Sequence, residues 1–212
     1  MHKNLILVGG GGHCKSVIDA AENAGWNILG ILDVTENVGK TVLGYEIIGT
    51  NDHISEWINK AYFLVTVGQI KNAILRVKLH DIIIAAGGKL ATIVAPDAHV
   101  SKHSRIEYGT VVLHKAVVNA GATIGMGCII NTMANIEHDA VIGNYCHIST
   151  GAIVNGNCNV GNETFLGSNS VLAQGVSVAE RCVIAAGSFV RKNIATSGIY
   201  AGNPAIFKKK LS

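Results

Sequence analysis

The sequence of 212 residues has few aromatic residues, little net charge and no long apolar run. No apolar stretch approaches the roughly 20 residues that a membrane-spanning helix needs. The run at 5–8 is too short for the core of a signal peptide, so we expect a cytoplasmic protein. The net charge of +3 is too weak to indicate a nucleic-acid partner. The cysteines contain no Cys-x-x-Cys pair, which argues against a disulfide framework or a cysteine-bound metal.

What the sequence has in abundance is an aliphatic repeat. Every sixth residue from Val100 to Val190 is Val, Ile or Leu without exception, and the residue four positions later is almost always small. This alternation is the signature of a hexapeptide-repeat, left-handed parallel β-helix, in which three hexapeptides make one triangular coil. Residues eighteen apart then stack at the strand spacing of about 4.8 Å. Four cysteines at the small inward positions are interpreted as core residues: Cys128, Cys146, Cys158 and Cys182.

The outward residues define three faces of the predicted prism. The first face carries Val111, Ile129, His147, Phe165 and Val183; the second carries Val117, Asn135, Ile153, Val171 and Phe189; the third carries Arg105, Thr123, Val141, Asn159 and Ser177. Two faces are mostly apolar, and soluble proteins avoid exposing such surfaces. We therefore expect a homotrimer in which each prism presents its two apolar faces to its two neighbours. An incidental apolar surface is the alternative.

Residues 1–90 lack the repeat and show alternating strands and helices. The pattern predicts strands at 3–8, 28–32 and 62–67, and helices at 16–24, from Asn51 or Asp52 to about 60, and at 70–86. Such alternation is typical of a small parallel sheet flanked by helices. The sequence therefore predicts a Rossmann-like α/β domain over 1–90 and an all-β domain, the β-helix, over 91–212.

A glycine turn at 9–12 separates the first predicted strand from the first helix. Glycine lets the backbone approach a phosphate, and the amides at a helix N-terminus favour an anion. The second strand ends at Asp33, where a Rossmann-like site would hold a ribose hydroxyl. Cys14 stands at the last glycine position of a G-x-G-x-x-G motif, so the turn indicates a nucleotide-type ligand without indicating NAD. A turn that serves only chain reversal is the alternative.

Two histidines are candidates for chemistry. His138 lies at a corner of the prism beside Asp139, whose carboxylate could raise its basicity, as a general base near neutral pH requires. His147 points outward from the first face, where a satisfied interface histidine is the alternative. In a trimer, His138 of one subunit would approach His147 of its neighbour across a cleft.

A metal site is a competing interpretation, because γ-class carbonic anhydrases hold zinc with three histidines on the same prism. That site needs two histidines close together and a third one coil away. His138 has no histidine eighteen residues before or after it, and His114 and His147 lie on unrelated columns. We therefore expect no metal.

The sequence resembles the NeuD/PglD type of bacterial sugar acetyltransferases over essentially the whole chain. The segments that carry the resemblance are 8–13, 31–33, 65–68, 131–151 and 202–205, and the most specific are 131–139 and 146–151. The resemblance implies transfer of an acetyl group from acetyl-CoA to the 4-amino group of a nucleotide-linked, UDP-type amino sugar.

The resemblance also implies residue roles. His138 matches the general base, and Asp139 matches the acid that raises its basicity. The matching residues around acetyl-CoA are His147, which hydrogen-bonds near the thioester carbonyl, Asn131 and Gly156. The matching residues around the nucleotide part of the acceptor are Gly11, Gly12, His13, Asp33 and Gly68.

The mechanism and two alternatives follow from the same residues. Acetyl transfer to an amine needs a base, a donor that polarises the carbonyl, and proximity, but no protein nucleophile. No serine or cysteine is paired with a convincing base, so we expect direct attack in a ternary complex. One alternative is O-acetylation of a sialic acid or another sugar hydroxyl with the same base. Another is a non-catalytic scaffold that binds a nucleotide sugar.

Overall fold

A computed structural model describes residues 3–211 and shows an α/β unit followed by a parallel β-helix. The sheet of the α/β unit has the strand order β3-β4-β2-β1-β5. Its strands are β1 (Asn4–Val8), β2 (Asn27–Leu32), β3 (Thr41–Val42), β4 (Tyr45–Gly49) and β5 (Tyr62–Val65). All pairs are parallel except β3 with β4. Two helices complete the unit, α1 (Gly12–Asn23) and α2 (Ile74–Ala85). This confirms the predicted fold class, and no helix within 3–211 combines the length and apolarity of a membrane span.

The helices differ from the predicted bounds for local reasons. Helix α1 begins at Gly12 because Gly11, in extended conformation, is its N-cap, so the glycine turn itself starts the helix. The helix predicted from Asn51 or Asp52 is instead a short 3-10 helix, Asn51–Glu56, whose N-cap is Thr50. The Thr50 hydroxyl accepts from the Asp52 amide, and the Thr50 amide donates to the His53 ring. A second 3-10 helix covers Thr35–Asn37.

The β-helix consists of three sheets, one for each face. The first face contains Ile93–Val94, Val111–Val112, Ile129–Ile130, His147–Ile148, Phe165–Leu166, Cys182–Ile184, Gly198–Ala201 and Ile206–Lys209. The second face contains His99–Val100, Val117–Val118, Asn135–Ile136, Ile153–Val154, Val171–Leu172 and Phe189–Val190. The third face contains Arg105–Ile106, Thr123–Ile124, Val141–Ile142, Asn159–Val160 and Ser177–Val178.

The hexapeptide ladder forms the interior of the prism, as predicted. Residues eighteen apart pair in register, so Ile129 pairs with His147 and His147 pairs with Phe165. The aliphatic residues and the cysteines of the small positions form one buried cluster, and all cysteines are free thiols. The third residue after an aliphatic lies at a corner, where the chain adopts positive φ. Non-glycine residues with this geometry include Lys115, Met133, Asp139, Tyr145, Asn157, Glu163, Asn169 and Arg181.

The first face is covered by the α/β unit of the same chain. Val111 and Ile129 are fully buried and share a core cluster with Leu5 of β1 and Ile18 of α1. The expectation that both apolar faces meet neighbouring subunits is therefore wrong for this face. An apolar pattern shows that a face must be covered, but not which part of the molecule covers it, since the hydrophobic effect is non-directional.

The second face is not covered by its own chain. Val117, Ile153, Val171 and Phe189 remain partly exposed, whereas the third face is mostly polar and solvent-exposed. This leaves one apolar strip available for contact with another molecule.

Polar contacts extend the junction between the two units. The His114 ring lies between two carboxylates, with Nδ1 2.7 Å from Asp97 and Nε2 3.0 Å from Asp19 of α1. Lys115 adds an ion pair to Asp97 at 3.2 Å. These side chains are partly or largely exposed, so the apolar contact contributes most of the stability of the junction.

Candidate functional site

The carboxyl ends of β1, β2 and β5 surround a cavity of about 320 Å³. This is the edge of a parallel α/β sheet at which ligands bind. The cavity is lined by residues 9–13, Asp33, Asn37 and residues 66–68. The structure therefore brings together all five residues that the resemblance assigned to the nucleotide. It adds Asn37, Thr66 and Val67. Thr66 and Val67 lie in the segment 65–68 that carries the family resemblance, but the sequence assigned no role to either of them, and Asn37 lies outside the resembling segments.

Asp33 shapes the glycine turn. Its Oδ2 accepts the amide of Gly10 at 2.7 Å, and its Oδ1 accepts the amide of Val34 at 2.7 Å. A Cβ at Gly10 would lie 2.7 Å from the same Oδ2, so this close approach requires glycine. Each carboxylate oxygen keeps a second lone pair for a ligand.

Thr66 links the opposite wall of the cavity, residues 66–68, to the glycine turn by hydrogen bonds. Its hydroxyl donates to the Gly9 carbonyl, and its amide donates to the Val8 carbonyl at 2.8 Å. Cys14 is fully buried behind the turn, and burial raises the pKa of its thiol to about 11. This cysteine therefore remains a neutral packing residue at physiological pH.

His13 lies at the start of α1 and lines the cavity. Its Nε2 is buried and has no hydrogen-bond partner among residues 3–211. Burial, reinforced by the positive charge of Arg76, lowers the pKa of His13 to about 3. The ring is therefore neutral, and its centroid lies 6.5 Å from that of His147.

His147 is held by both ring nitrogens. Asn131 Oδ1 accepts the Thr132 amide at 2.8 Å, which leaves Asn131 Nδ2 as the donor to His147 Nε2 at 3.1 Å. His147 Nδ1 must then carry the hydrogen and donate to the Gln69 carbonyl at 2.8 Å. Burial lowers the pKa of His147 to about 4.

His147 therefore connects the prism to the wall of the cavity as a neutral ring. In this geometry it has no free N–H to offer a thioester carbonyl. The assignment of His147 and Asn131 to acetyl-CoA stays a prediction.

His138 and Asp139 form a pair at an open corner of the prism. His138 Nδ1 lies 2.9 Å from Asp139 Oδ2, and the two side chains are 54% and 60% exposed. A carboxylate only accepts, so Nδ1 carries the hydrogen, and in the neutral ring Nε2 keeps a lone pair that can accept a proton. A Cβ at Gly156, one coil along, would lie 2.7 Å from His138 Nε2 and Cε1, so this glycine makes room for the ring.

Glu137 precedes this pair and was not singled out by the sequence, although it belongs to the same Glu-His-Asp run. Its carboxylate accepts hydrogen bonds from the side-chain amides of Asn119 at 2.9 Å and Asn135 at 3.0 Å. These two bonds fix the orientation of the Glu137 carboxylate. Over the described chain, no group of three or more His, Cys, Asp or Glu side chains could hold a metal ion.

The structure does not bring His138 together with the cavity in one chain. His138 lies in the turn between the second face (Asn135–Ile136) and the third face (Val141–Ile142). That corner is opposite the first face, which carries His147 and the α/β unit. The interior between them is filled with aliphatic side chains. One chain therefore holds the cavity and the His138–Asp139 pair, here called the two candidate half-sites, on opposite sides of the prism.

Two family profiles match the chain. The PglD N-terminal domain matches residues 4–83, and the bacterial transferase hexapeptide (six repeats) matches residues 157–192. A search of curated protein sequences gives no significant match.

Solved structures match over nearly the whole length. The acetyltransferase domain of PglB from Neisseria gonorrhoeae is 31% identical, with a TM-score of 0.90 over 98% of this chain and 100% of that one. A mutant of perosamine N-acetyltransferase from Caulobacter crescentus, in complex with CoA and GDP-perosamine, is 28% identical. Its TM-score is 0.91, over 97% of this chain and 96% of that one. The likeness over nearly the whole chain, together with the two profile matches, shows that this chain belongs to the NeuD/PglD type of acetyl-CoA-dependent bacterial sugar acetyltransferases.

Proposed function

We propose that this protein acetylates the 4-amino group of a nucleotide-linked, UDP-type amino sugar, with His138 of one protomer facing the nucleotide cavity of the next. The observation that carries the proposal is the separation of the two half-sites on opposite sides of one prism. A cyclic assembly joins one surface of a subunit to a different surface of its neighbour, and three such contacts close a ring. The uncovered second face supplies the apolar contact that a homotrimer needs.

The division of the chain follows the two half-sites. Residues 1–90 would hold the nucleotide part of the acceptor through Gly11, Gly12, His13, Asp33 and Gly68. Residues 91–212 would hold acetyl-CoA and the base. Support for the nucleotide comes from the glycine turn at the N-terminus of α1, where backbone amides favour a diphosphate. The Caulobacter relative was solved with CoA and GDP-perosamine. The assay therefore compares substrates that carry different nucleobases.

In the proposed mechanism His138 removes the proton that the amine loses as its nitrogen attacks the thioester carbonyl. The Asp139 carboxylate accepts the Nδ1–H, which keeps the lone pair on Nε2 facing the acceptor. The new C–N bond forms as the C–S bond breaks, and the proton taken by Nε2 passes to the leaving thiolate. Asp139 therefore orients the ring and selects its tautomer.

A thiol-release assay tests the proposal. Because all cysteines are buried, a thiol reagent should give little background from the protein. With a UDP-linked 4-amino sugar and acetyl-CoA, His138→Ala is expected to lower turnover about 10²–10⁴-fold, the usual contribution of a general base. His103→Ala is the matched control, since this exposed histidine lies at the same corner two coils away. Near-normal turnover in the His138 variant would remove this residue from the mechanism.

The substrate panel separates the alternatives. Release of thiol only with CMP-sialic acid or free sialic acid would indicate O-acetylation. Retention of nucleotide sugar without any binding of CoA would indicate a scaffold. A GDP-linked substrate preferred over its UDP counterpart would change the assigned nucleotide but not the reaction.

A further inference from the structure

Arg76 is a fully buried cation at the junction between the α/β unit and the prism. It lies in the first turn of α2 and is 1% exposed. Its Nη1 donates to the carbonyls of Val65 at 2.9 Å and Val67 at 2.8 Å, and its Nε donates to the carbonyl of Gly127 at 2.9 Å. The first two carbonyls flank Thr66 in the wall of the nucleotide cavity, and the third belongs to the prism.

Gln69 and His147 complete this attachment. The Gln69 carboxamide donates to the Tyr145 carbonyl, and the Gln69 carbonyl accepts from His147. The segment 65–69 is therefore fixed to the prism by three side chains, of which only Arg76 is charged. The planar guanidinium can satisfy several carbonyls at once, which an ammonium cannot do.

The charge of Arg76 has no carboxylate partner within ion-pair distance among residues 3–211. Burial lowers the pKa of Arg76 to about 10, so the guanidinium is still protonated at neutral pH. The titratable groups that face it are three histidines, a phenol and a thiol: His13, His80, His147, Tyr145 and Cys128. An uncompensated positive charge in a medium of low polarity acts over a longer range than one in water.

This charge acts on the cavity through His13. After burial, the positive charge of Arg76 is the second cause that lowers the pKa of His13. It also contributes to the lowered pKa values of His80 and His147. His13 therefore stays neutral and adds no second positive charge close to Arg76. The Nε2 atom of the neutral His13 ring has no hydrogen-bond partner among residues 3–211 and can bind a ligand in the cavity.

We propose that Arg76 is a positioning residue of the acceptor cavity, which fixes the wall formed by residues 65–69 and supplies a buried positive charge beneath the site for the nucleotide diphosphate. The proposal rests on the proposed function for the identity of the ligand. Its effect on the protonation of His13 does not depend on that function. The sequence carries a signal for it, since Arg76 stands on the stripe Ala73, Arg76, His80 and Ile83, which is buried at helical spacing.

The test compares three variants by two measurements. Arg76→Met removes the charge and the hydrogen bonds, Arg76→Lys keeps the charge but cannot reach all three carbonyls, and Lys78→Met removes an exposed charge from the same helix. The first measurement is the affinity for UDP and GDP by calorimetry. The second is the ¹⁵N chemical shifts of the histidine rings as the pH is lowered from 7 over the range in which the protein stays folded, which report protonation without any turnover.

We expect Arg76→Met to weaken nucleotide binding at least about tenfold, the cost of misplacing a single charged hydrogen bond. Its His13 ring should take up a proton at a higher pH than the wild-type ring, because the charge of Arg76 is, after burial, the second cause of the lowered pKa of His13. Arg76→Lys should weaken binding while leaving the titration of His13 unchanged, and Lys78→Met should change neither quantity.

Wild-type affinity together with a wild-type titration of His13 in a folded Arg76→Met variant would overturn the proposal. If that variant does not fold, wild-type affinity in Arg76→Lys overturns it instead. Failure of the wild type to bind either nucleotide would refute the assigned ligand of the cavity. The ¹⁵N chemical shifts of the His13 ring would still decide whether the charge of Arg76 affects the protonation of His13.

Discussion

A mixed-trimer experiment tests the separation of the half-sites most directly. One parent carries His138→Ala and lacks the base. The other carries Gly11→Glu, which places a carboxylate in the nucleotide cavity. A Cβ at Gly11 meets no heavy atom within 4 Å, and its φ of −75° suits any residue, so the change should not disturb the fold. A negative charge at the N-terminus of α1 is also favourable for the helix, whereas it repels a diphosphate.

The expected activity of a mixed trimer follows from its cyclic arrangement of protomers. Each site takes its base from one protomer and its cavity from the next. In any trimer that contains both parents, only one of the three junctions joins an intact base to an intact cavity. Mixed trimers should therefore regain about one third of wild-type turnover per trimer, although each parent alone is inactive.

Co-expression with two affinity tags and purification on both supplies the mixed species, and thiol release reports the activity. Gel filtration of the same sample shows whether the assembly is a trimer. A mixed trimer that is no more active than its parents would place both half-sites within one chain and refute the reasoning. Wild-type protein with two different tags, purified in the same way, controls for the effect of the tags.

Two further predictions concern single residues and pH. Gly156→Ala should displace the His138 ring, since the added Cβ would lie 2.7 Å from Nε2. Turnover should therefore fall about tenfold or more, while the elution volume in gel filtration stays unchanged. Wild-type turnover would show that the ring has room to move. Stability should fall as the pH drops below about 6.5, because His13, His80 and His147 are neutral when folded, with pKa values of about 3, 4 and 4, but bind protons when unfolded. Each should cost about 2 kcal/mol at pH 5, fully regained above the unfolded pKa. Thermal unfolding from pH 7 to pH 5 measures this, with His103→Ala as a control, and a flat profile would contradict the buried neutral rings.

Much of the candidate site could be predicted from short motifs. The glycine turn, Asp33 and Gly68 follow strands whose carboxyl ends meet at one sheet edge, so their convergence follows from parallel topology. The pair of His138 and Asp139 is adjacent in the chain, and its hydrogen bond needs no long-range information. Thr66 and Gln69 were missed because their roles depend on which carbonyls they meet, and those carbonyls belong to distant segments.

The sequence alone determined the prism, because each coil packs only on the coils before and after it. The six-residue repeat of aliphatic residues specifies this packing through residues that lie close together in the chain. The sequence also predicted that two faces need a cover, which the structure shows for the first face. Only the tertiary structure decided that the α/β unit of the same chain covers the first face, which makes His147 a buried junction residue. It likewise decided that His138 lies on the far side of the prism and that Arg76 is buried without a carboxylate. These facts depend on how two units dock, and a pattern of apolar residues specifies the need for a partner without specifying the partner.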